Sequence, residues 1–225
     1  AALFVGLLAG PPAGALAAER VSGGMRRGEA RRLGLMCAGV SPVYLIGGVG
    51  TALFGSAQLG LWLALAQAAA QLLLGLALRG SFAADTELLP EVPEREAEAP
   101  VRAAVGSVLQ VCGYMALFSV GAAMAAKLAG GAAGDLLLYI ADMPSGLARA
   151  AERGASWPLV AAVAGFGGLC IAAQNMAVLG ALGVRWRDYL AARGFATGVC
   201  ALTVALRFSL PGAAAPAMAS FEAGA

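Results

Sequence analysis

Residues 33–78 read LGLMCAGVSPVYLIGGVGTALFGSAQLGLWLALAQAAAQLLLGLAL, 46 positions without a single Asp, Glu, Lys or Arg. A bilayer core takes about 20 apolar residues in a helix, so this block is long enough for two crossings. A helix on the surface of a soluble protein needs a polar face, and no charge is available here to build one. The same reading extends outward. Charges are also missing from residues 1–18, 103–126, 154–184 and 194–206, and most of these blocks suit one crossing. Of the 225 residues, 60% are hydrophobic and 12% charged, against about 25% charged in soluble domains. The expected fold class is an all-α polytopic membrane protein.

Seven apolar segments are expected, at 1–18, 33–54, 57–78, 104–128, 135–150, 157–182 and 195–210. Residues 79–102, containing TELLPEVPEREAEAP, read as a flexible, acidic, solvated linker. The tail at 211–225, rich in Ala, Gly and Pro, is expected to fray. The chain opens Ala-Ala inside an apolar run with no basic region before it. That argues against a signal peptide and for a lost N-terminal portion. Two connectors are basic, 19–32 with five arginines against two glutamates and 185–193 with three against one aspartate. The positive-inside rule assigns both to the cytoplasmic side, whereas full crossings by the segments between them would separate them. Either one segment only dips into the membrane or the rule fails here, and orientation stays open.

Four apolar segments are interrupted. The breaks are Gly10-Pro11-Pro12-Ala13-Gly14, Gly39-Val40-Ser41-Pro42, Asp142-Met143-Pro144-Ser145-Gly146 and Gly165-Phe166-Gly167-Gly168. Proline removes a backbone donor and glycine loosens a helix. Irregular backbone at membrane depth is tolerated only where protein buries it or a cavity borders it. Four breaks suggest half-helices facing one site, with Gly10, Pro12, Gly14, Gly165, Gly167 and Gly168 as the breaking positions. Residues 9–20 also resemble 164–175 at an offset of 155. Interrupted segments in two halves point to a transporter site.

Asp142 is the sharpest candidate, since an ionisable group in a membrane segment is costly and is a site hypothesis by default. The alternative is a helix cap at an interface. Gln174 and Asn175 follow the last break and are read as solute ligands, the other reading being bonds to a neighbouring helix. Gln67, Gln71 and Gln110 read as links between helices. Half-helix N-termini offer free N–H groups and partial positive charge, which suits an anionic or polar solute. The residues expected at the substrate are Asp142, Ser145, Gly146, Gln174, Asn175, Ser41 and Pro42.

Catalysis is not expected. The sequence has no histidine, no phosphate-binding loop, no nucleophile elbow and no zinc motif. The cysteines Cys37, Cys112, Cys170 and Cys200 are widely spaced in apolar runs and read as small buried hydrophobes. No metal, cofactor or nucleic-acid partner is expected. The partners are the lipid bilayer and a small anionic or polar solute, with a homo-oligomer left open.

From about residue 4 to 208 the chain resembles the YlbJ-type sporulation integral membrane proteins of the nucleoside-recognition (Gate) superfamily. Gly10, Pro12 and Gly14 match an S-G-Y-P-x-G motif, and Ser41 to Gly50 resembles S-G-P-L-F-I-I-G-x-V-G. Leu109 to Tyr114 and Phe118 to Val120 look like a fourth-segment signature, and Asp142 to Gly146 like an acidic-x-T-x-G element. Gly165 to Leu169 with Gln174, then Arg187 to Leu190, match G-F-G-G-L…Q and R-x-Y-L. Polar positions differ. Ala38, Gly39 and Val40 replace asparagines, Leu16 a lysine, Asp142 a glutamate and Pro144 a threonine. The resemblance implies two Gate-like repeats, expected to be inverted, at 1–78 (truncated at its start) and 103–210. It implies a membrane around the developing spore of an endospore-forming bacterium. It also implies passage of a small organic anion, dipicolinate being the leading candidate. A structural role in cortex assembly and a nucleoside-type carrier are the alternatives.

Overall fold

The computed structural model describes residues 10–90 and 100–209, with Phe4 and Leu8. The tail at 211–225, the middle of the acidic linker and most of the first nine positions lie outside the described residues. In chain order the elements are α1 (Ala13–Val21), α2 (Arg27–Cys37), a π-helical segment (Tyr44–Leu53), α3 (Ala57–Ala77), α4 (Pro100–Ala129), α5 (Gly131–Ala141), α6 (Met143–Glu152), α7 (Trp157–Phe166), α8 (Gly168–Leu179) and α9 (Trp186–Ser209). Among the described residues the only β-pairing is one isolated bridge, Arg26 with Leu88. Four stretches are long and apolar enough to cross a membrane: Ala57–Ala77, Val105–Ala129, Trp157–Leu182 and Trp186–Ser209. This is the make-up of an all-α membrane protein.

The composition explains the packing. Between helices in lipid, close backbone approach replaces hydrophobic drive, and small residues permit it. The π-helical segment contains Gly47, Gly48 and Gly50 and closes its last turn five residues back, with the Phe54 N–H donating to the Val49 carbonyl at 3.0 Å. Its Gly50 lies on Gly60 of α3, so a Cβ on Gly60 would come within 2.6 Å of the Ile46 Cα and the Leu45 carbonyl. Ser56 starts α3 by accepting from the Leu59 N–H at 3.2 Å.

The bundle has two ends. At one, Trp157 meets Phe54 edge to face and Phe208 at a tilt, with ring centroids 5.5 and 6.1 Å apart, and Arg207 lies over the Trp62 ring. At the other, Arg31 bonds Asp188 at 2.6 Å and Asp85 at 3.1 Å, and Arg32 donates to the Gly75 carbonyl at 2.7 Å. The two basic connectors therefore touch. They also carry more helix than the sequence suggested, because 27–32 begins α2 and 186–193 begins α9. Between them α5 and α6 fold back on one another. Asp135 near the start of α5 pairs with Arg149 and Arg153 near the end of α6, which leaves Asp142 at the tip of the hairpin.

Two expectations are corrected. The first part of the linker is docked, not flexible: Arg27 pairs with Glu87 at 2.7 Å, and the Leu89 N–H donates to the Met25 carbonyl at 2.9 Å. Cys112 is exposed while the other three cysteines are buried, because α4 lies at the periphery. Only 6% of the α4 span is buried, against 61% of Trp157–Leu182. The α5 helix grips α4 near their shared turn, where Leu138 packs on Ala122 and Ala126.

Glycine substitutions separate the two environments. Gly60→Ala forces backbone against backbone and should lower unfolding stability in detergent by about 1–3 kcal/mol. Gly113→Ala on the open face of α4, with nothing within 4 Å of the new Cβ, should be neutral or gain up to roughly 1 kcal/mol.

Candidate functional site

The breaks meet in pairs. A Cβ on Gly10, whose φ is +73°, would lie 2.7 Å from the Ser41 Cβ, so the first break presses on the second. A Cβ on Gly168, with φ +79°, would lie 2.9 Å from the Met143 nitrogen and 3.3 Å from the Asp142 Cα, so the fourth presses on the third. Between the two pairs lies a cavity of about 440 Å³. Its wall takes Pro11 from the first break, Val40 and Ser41 from the second with Val43 just after it, Asp142, Met143 and Pro144 from the third, and Cys170, Ile171 and Gln174 just after the fourth; Tyr44 of the π-helical segment and Val111 and Met115 of α4 complete it. The volume falls within the usual range for small-molecule sites, as does a mainly apolar wall carrying a few polar groups.

Asp142 resolves into both of its readings. It is the N-cap of α6, accepting from the Ser145 N–H at 3.1 Å and the Ser145 hydroxyl at 2.5 Å. It is also 2% exposed and part of the cavity wall. The Cys170 thiol and the Tyr44 ring stand close enough to sense its charge. Among the described residues no Lys or Arg lines this cavity. Gln174 faces both this cavity and a smaller neighbour of about 40 Å³, shared with Pro12, Leu16, Ser107, Gln110 and Tyr114. Gln110 thus borders a void where a link between helices was expected.

Other expected residues fall elsewhere. Asn175 is fully buried and points away, its Nδ2 donating to the Tyr189 hydroxyl at 3.0 Å and the Ala38 carbonyl at 3.4 Å. It ties helices together and does not face the cavity. Pro42 starts the helical stretch after the second break and does not line the cavity. Gly146 seats α6 on α5, since a Cβ there would meet the Tyr139 Cα at 2.9 Å. Ser145 acts through Asp142. Gly14 lies inside α1, and Gly165 lies inside α7 against Thr197 and Cys200 of α9. Helical geometry continues through both, so they are packing positions and not breaks.

One residue escaped the sequence reading. Arg193 is 1% exposed, inside the bundle, and no carboxylate pairs with it among the described residues. Its Nη1 donates to the carbonyl of Ala38, the C-cap of α2, at 3.3 Å. With the Gln71 amide oriented by its surroundings, Gln71 Oε1 accepts from Arg193 Nη2 at 2.8 Å, from Gln67 Nε2 at 3.0 Å and from the Gly39 N–H at 3.2 Å. A helix C-terminus carries partial negative charge, so the guanidinium sits where α2 breaks and compensates its free carbonyls. The signal for it is periodic. Tyr189, Ala192, Ala196, Cys200 and Val204 form the buried stripe of α9, and Arg193 falls on that stripe.

Set against known proteins, the chain matches no family model, no curated protein and no solved structure. The class it defines by its own geometry is an all-α membrane protein with a mainly apolar cavity bordered by helix breaks.

Replacing Arg193 tests this reading of the second break. Arg193→Met keeps much of the bulk but strands the Ala38 and Gln71 oxygens. It should cost about 2 kcal/mol or more in unfolding stability, whereas Arg187→Met on an exposed side chain should cost less than about 0.5 kcal/mol.

Proposed function

We propose that the chain is a multi-pass membrane carrier that holds a small organic solute among its four helix breaks. The observation that carries this reading is their convergence on one cavity of about 440 Å³. Discontinuous helices at a shared site are the usual build of secondary transporters, and a structural bundle has no use for four interruptions facing one void.

The carrier reading includes two repeats of inverted topology, with the α5–α6 hairpin re-entrant. Element lengths support it. The pairs α1 with α6 (9 and 10 residues), α2 with α7 (11 and 10), the π-helical segment with α8 (10 and 12) and α3 with α9 (21 and 24) follow in the same order. Pro12-Ala13-Gly14 then falls on Pro144-Ser145-Gly146 at an offset of 132, in place of the match at 155. Direction supports inversion. The end of α3 and the start of α9 lie at the same Arg31–Asp188 end of the bundle, so the paired helices run oppositely. A re-entrant α5–α6 also puts both basic connectors on one side, as the positive-inside rule asks.

The family resemblance supplies the candidate cargo, dipicolinate, and the candidate location, a membrane around the developing spore. A flat aromatic body suits the wall of Val40, Val43, Tyr44, Met115 and Ile171. A nucleoside is the alternative cargo for the same cavity. A structural role in spore envelope assembly draws on one observation, the buried polar network of Arg193, Gln71, Gln67, Asn175 and Tyr189, whose members do not line the cavity.

Purified protein in liposomes should take up labelled dipicolinate saturably. Ile171→Trp, which fills the cavity, should reduce uptake at least tenfold while the protein stays monodisperse. Uptake of a labelled nucleoside in its place would reassign the cargo. No uptake of either by folded protein would overturn the carrier reading in favour of the structural one.

A further inference from the structure

The cavity and its smaller neighbour share walls. The void of about 40 Å³ takes Val111 of α4 and Gln174 of α8 in common with the cavity of about 440 Å³. At the first break the two divide adjacent residues, Pro11 lining the cavity and Pro12 the smaller void. From there the void continues along Leu16 of α1 and Val178 of α8. Both helices run on into the basic connectors, 19–32 and 185–193. The smaller void therefore extends from the cavity toward the end of the bundle where Arg31 meets Asp188.

Its third wall is unusual for a peripheral helix. Ser107, Gln110 and Tyr114 of α4 follow at i, i+3 and i+7, which sets them on one helix face over about 10 Å. Val105, Val108 and Leu109 on the other faces are exposed and apolar, as contact with lipid requires. Polar side chains within a membrane span are costly, and those that face a cavity mark solute pathways. The seam is also lightly secured. The α5 helix grips α4 at its far end, through Leu138 on Ala122 and Ala126, and only 6% of the α4 span is buried.

We infer that this polar seam, between α4 on one side and α1 and α8 on the other, is the route by which solute passes between the cavity and the basic end of the bundle, with Gln174 at the junction. This rests on the carrier reading and names the path that reading lacks. The smaller void has room for about three waters, so it is the narrow part of the route. Ser107, Gln110, Tyr114 and Gln174 offer neutral donors and acceptors along it, which replace the hydration of a polar solute without holding it by charge. The end it leads to suits an anionic cargo. The two connectors carry eight arginines against three carboxylates, and the docked start of the linker adds only Asp85 and Glu87. A net positive mouth raises the local concentration of anions.

The test separates passage from binding. Uptake into liposomes and equilibrium binding in detergent are both measured with labelled dipicolinate, or with the labelled nucleoside if that is the cargo taken up. Ser107→Trp obstructs the smaller void but touches no cavity wall. It should slow uptake about tenfold or more while leaving the Kd unchanged, as a gating defect does. Leu109→Trp, on the outer face of α4, should change neither. A second variant keeps the test decisive should Ser107→Trp not fold. Gln110→Cys in a cysteine-free background is folded before it is challenged with a bulky water-soluble methanethiosulfonate. Modification should block uptake, a reductant should restore it, and the reagent should reach Gln110→Cys from the same side of the membrane as Arg187→Cys. Uptake unaffected by both obstructions, or a Gln110→Cys that the reagent never reaches, overturns the route and leaves the carrier reading intact. Wild-type protein that neither binds nor takes up either solute overturns the carrier reading, and the route falls with it.

Discussion

A helix that stops inside a bilayer leaves carbonyls at one end and amides at the other with no water to satisfy them. Much of this architecture answers that constraint. At the second break the α2 carbonyl end is met by a buried cation, Arg193, through the Ala38 oxygen. At the third, the α6 amide end is met by a buried anion, Asp142. Each charge has the sign that the helix dipole at its position favours. The first and fourth breaks carry no charge. They are accommodated by glycine backbones, Gly10 against Ser41 and Gly168 against Met143. The cavity is what remains between four ends that have been satisfied individually but not filled collectively.

The two charges at the breaks are not equivalent. Arg193 is held by neutral acceptors on α2 and α3 and does not line the cavity, so its role is to hold a break in place. Asp142 has a cavity on one side and a cap on the other, so its charge is open to whatever enters. An architecture that fixes one charge and exposes the other suits a site whose occupancy changes. The placement of α4 agrees with this. It closes the cavity with Val111 and Met115, while little of its length is held by the rest of the bundle.

The sequence made the helical class and the breaks legible because both depend on local signals, charge-free length and Gly or Pro clusters. Asp142 was legible for the same reason, as a lone carboxylate in an apolar run. What was not legible depends on which face a residue takes. Gly14, Gly146 and Gly165 look like breaking glycines in sequence, but helical geometry continues through them, and for Gly146 and Gly165 a neighbouring backbone explains the lack of a side chain. Asn175 and Gln174 are adjacent in sequence and point in opposite directions, one to Tyr189 and one to the cavity. Arg193 was hidden inside RWRDYLAAR, where composition read a solvated connector while the helical stripe of α9 carried it inward. The docked start of the linker was hidden too, because its attachment runs through backbone hydrogen bonds that composition does not encode.

The most direct test of the account is accessibility by depth. In a cysteine-free background reconstituted in liposomes, single cysteines at Ser41, Pro144, Ile171 and Gln174 are challenged with a small water-soluble thiol reagent. Cysteines at Leu61, Leu65 and Leu117, on exposed helix faces, serve as lipid-facing references. The account predicts that the cavity positions react and the lipid-facing ones do not, and that a solute filling the cavity slows all four reactions together. Reaction at none of the four, or protection of each independently of the others, would contradict a single shared site.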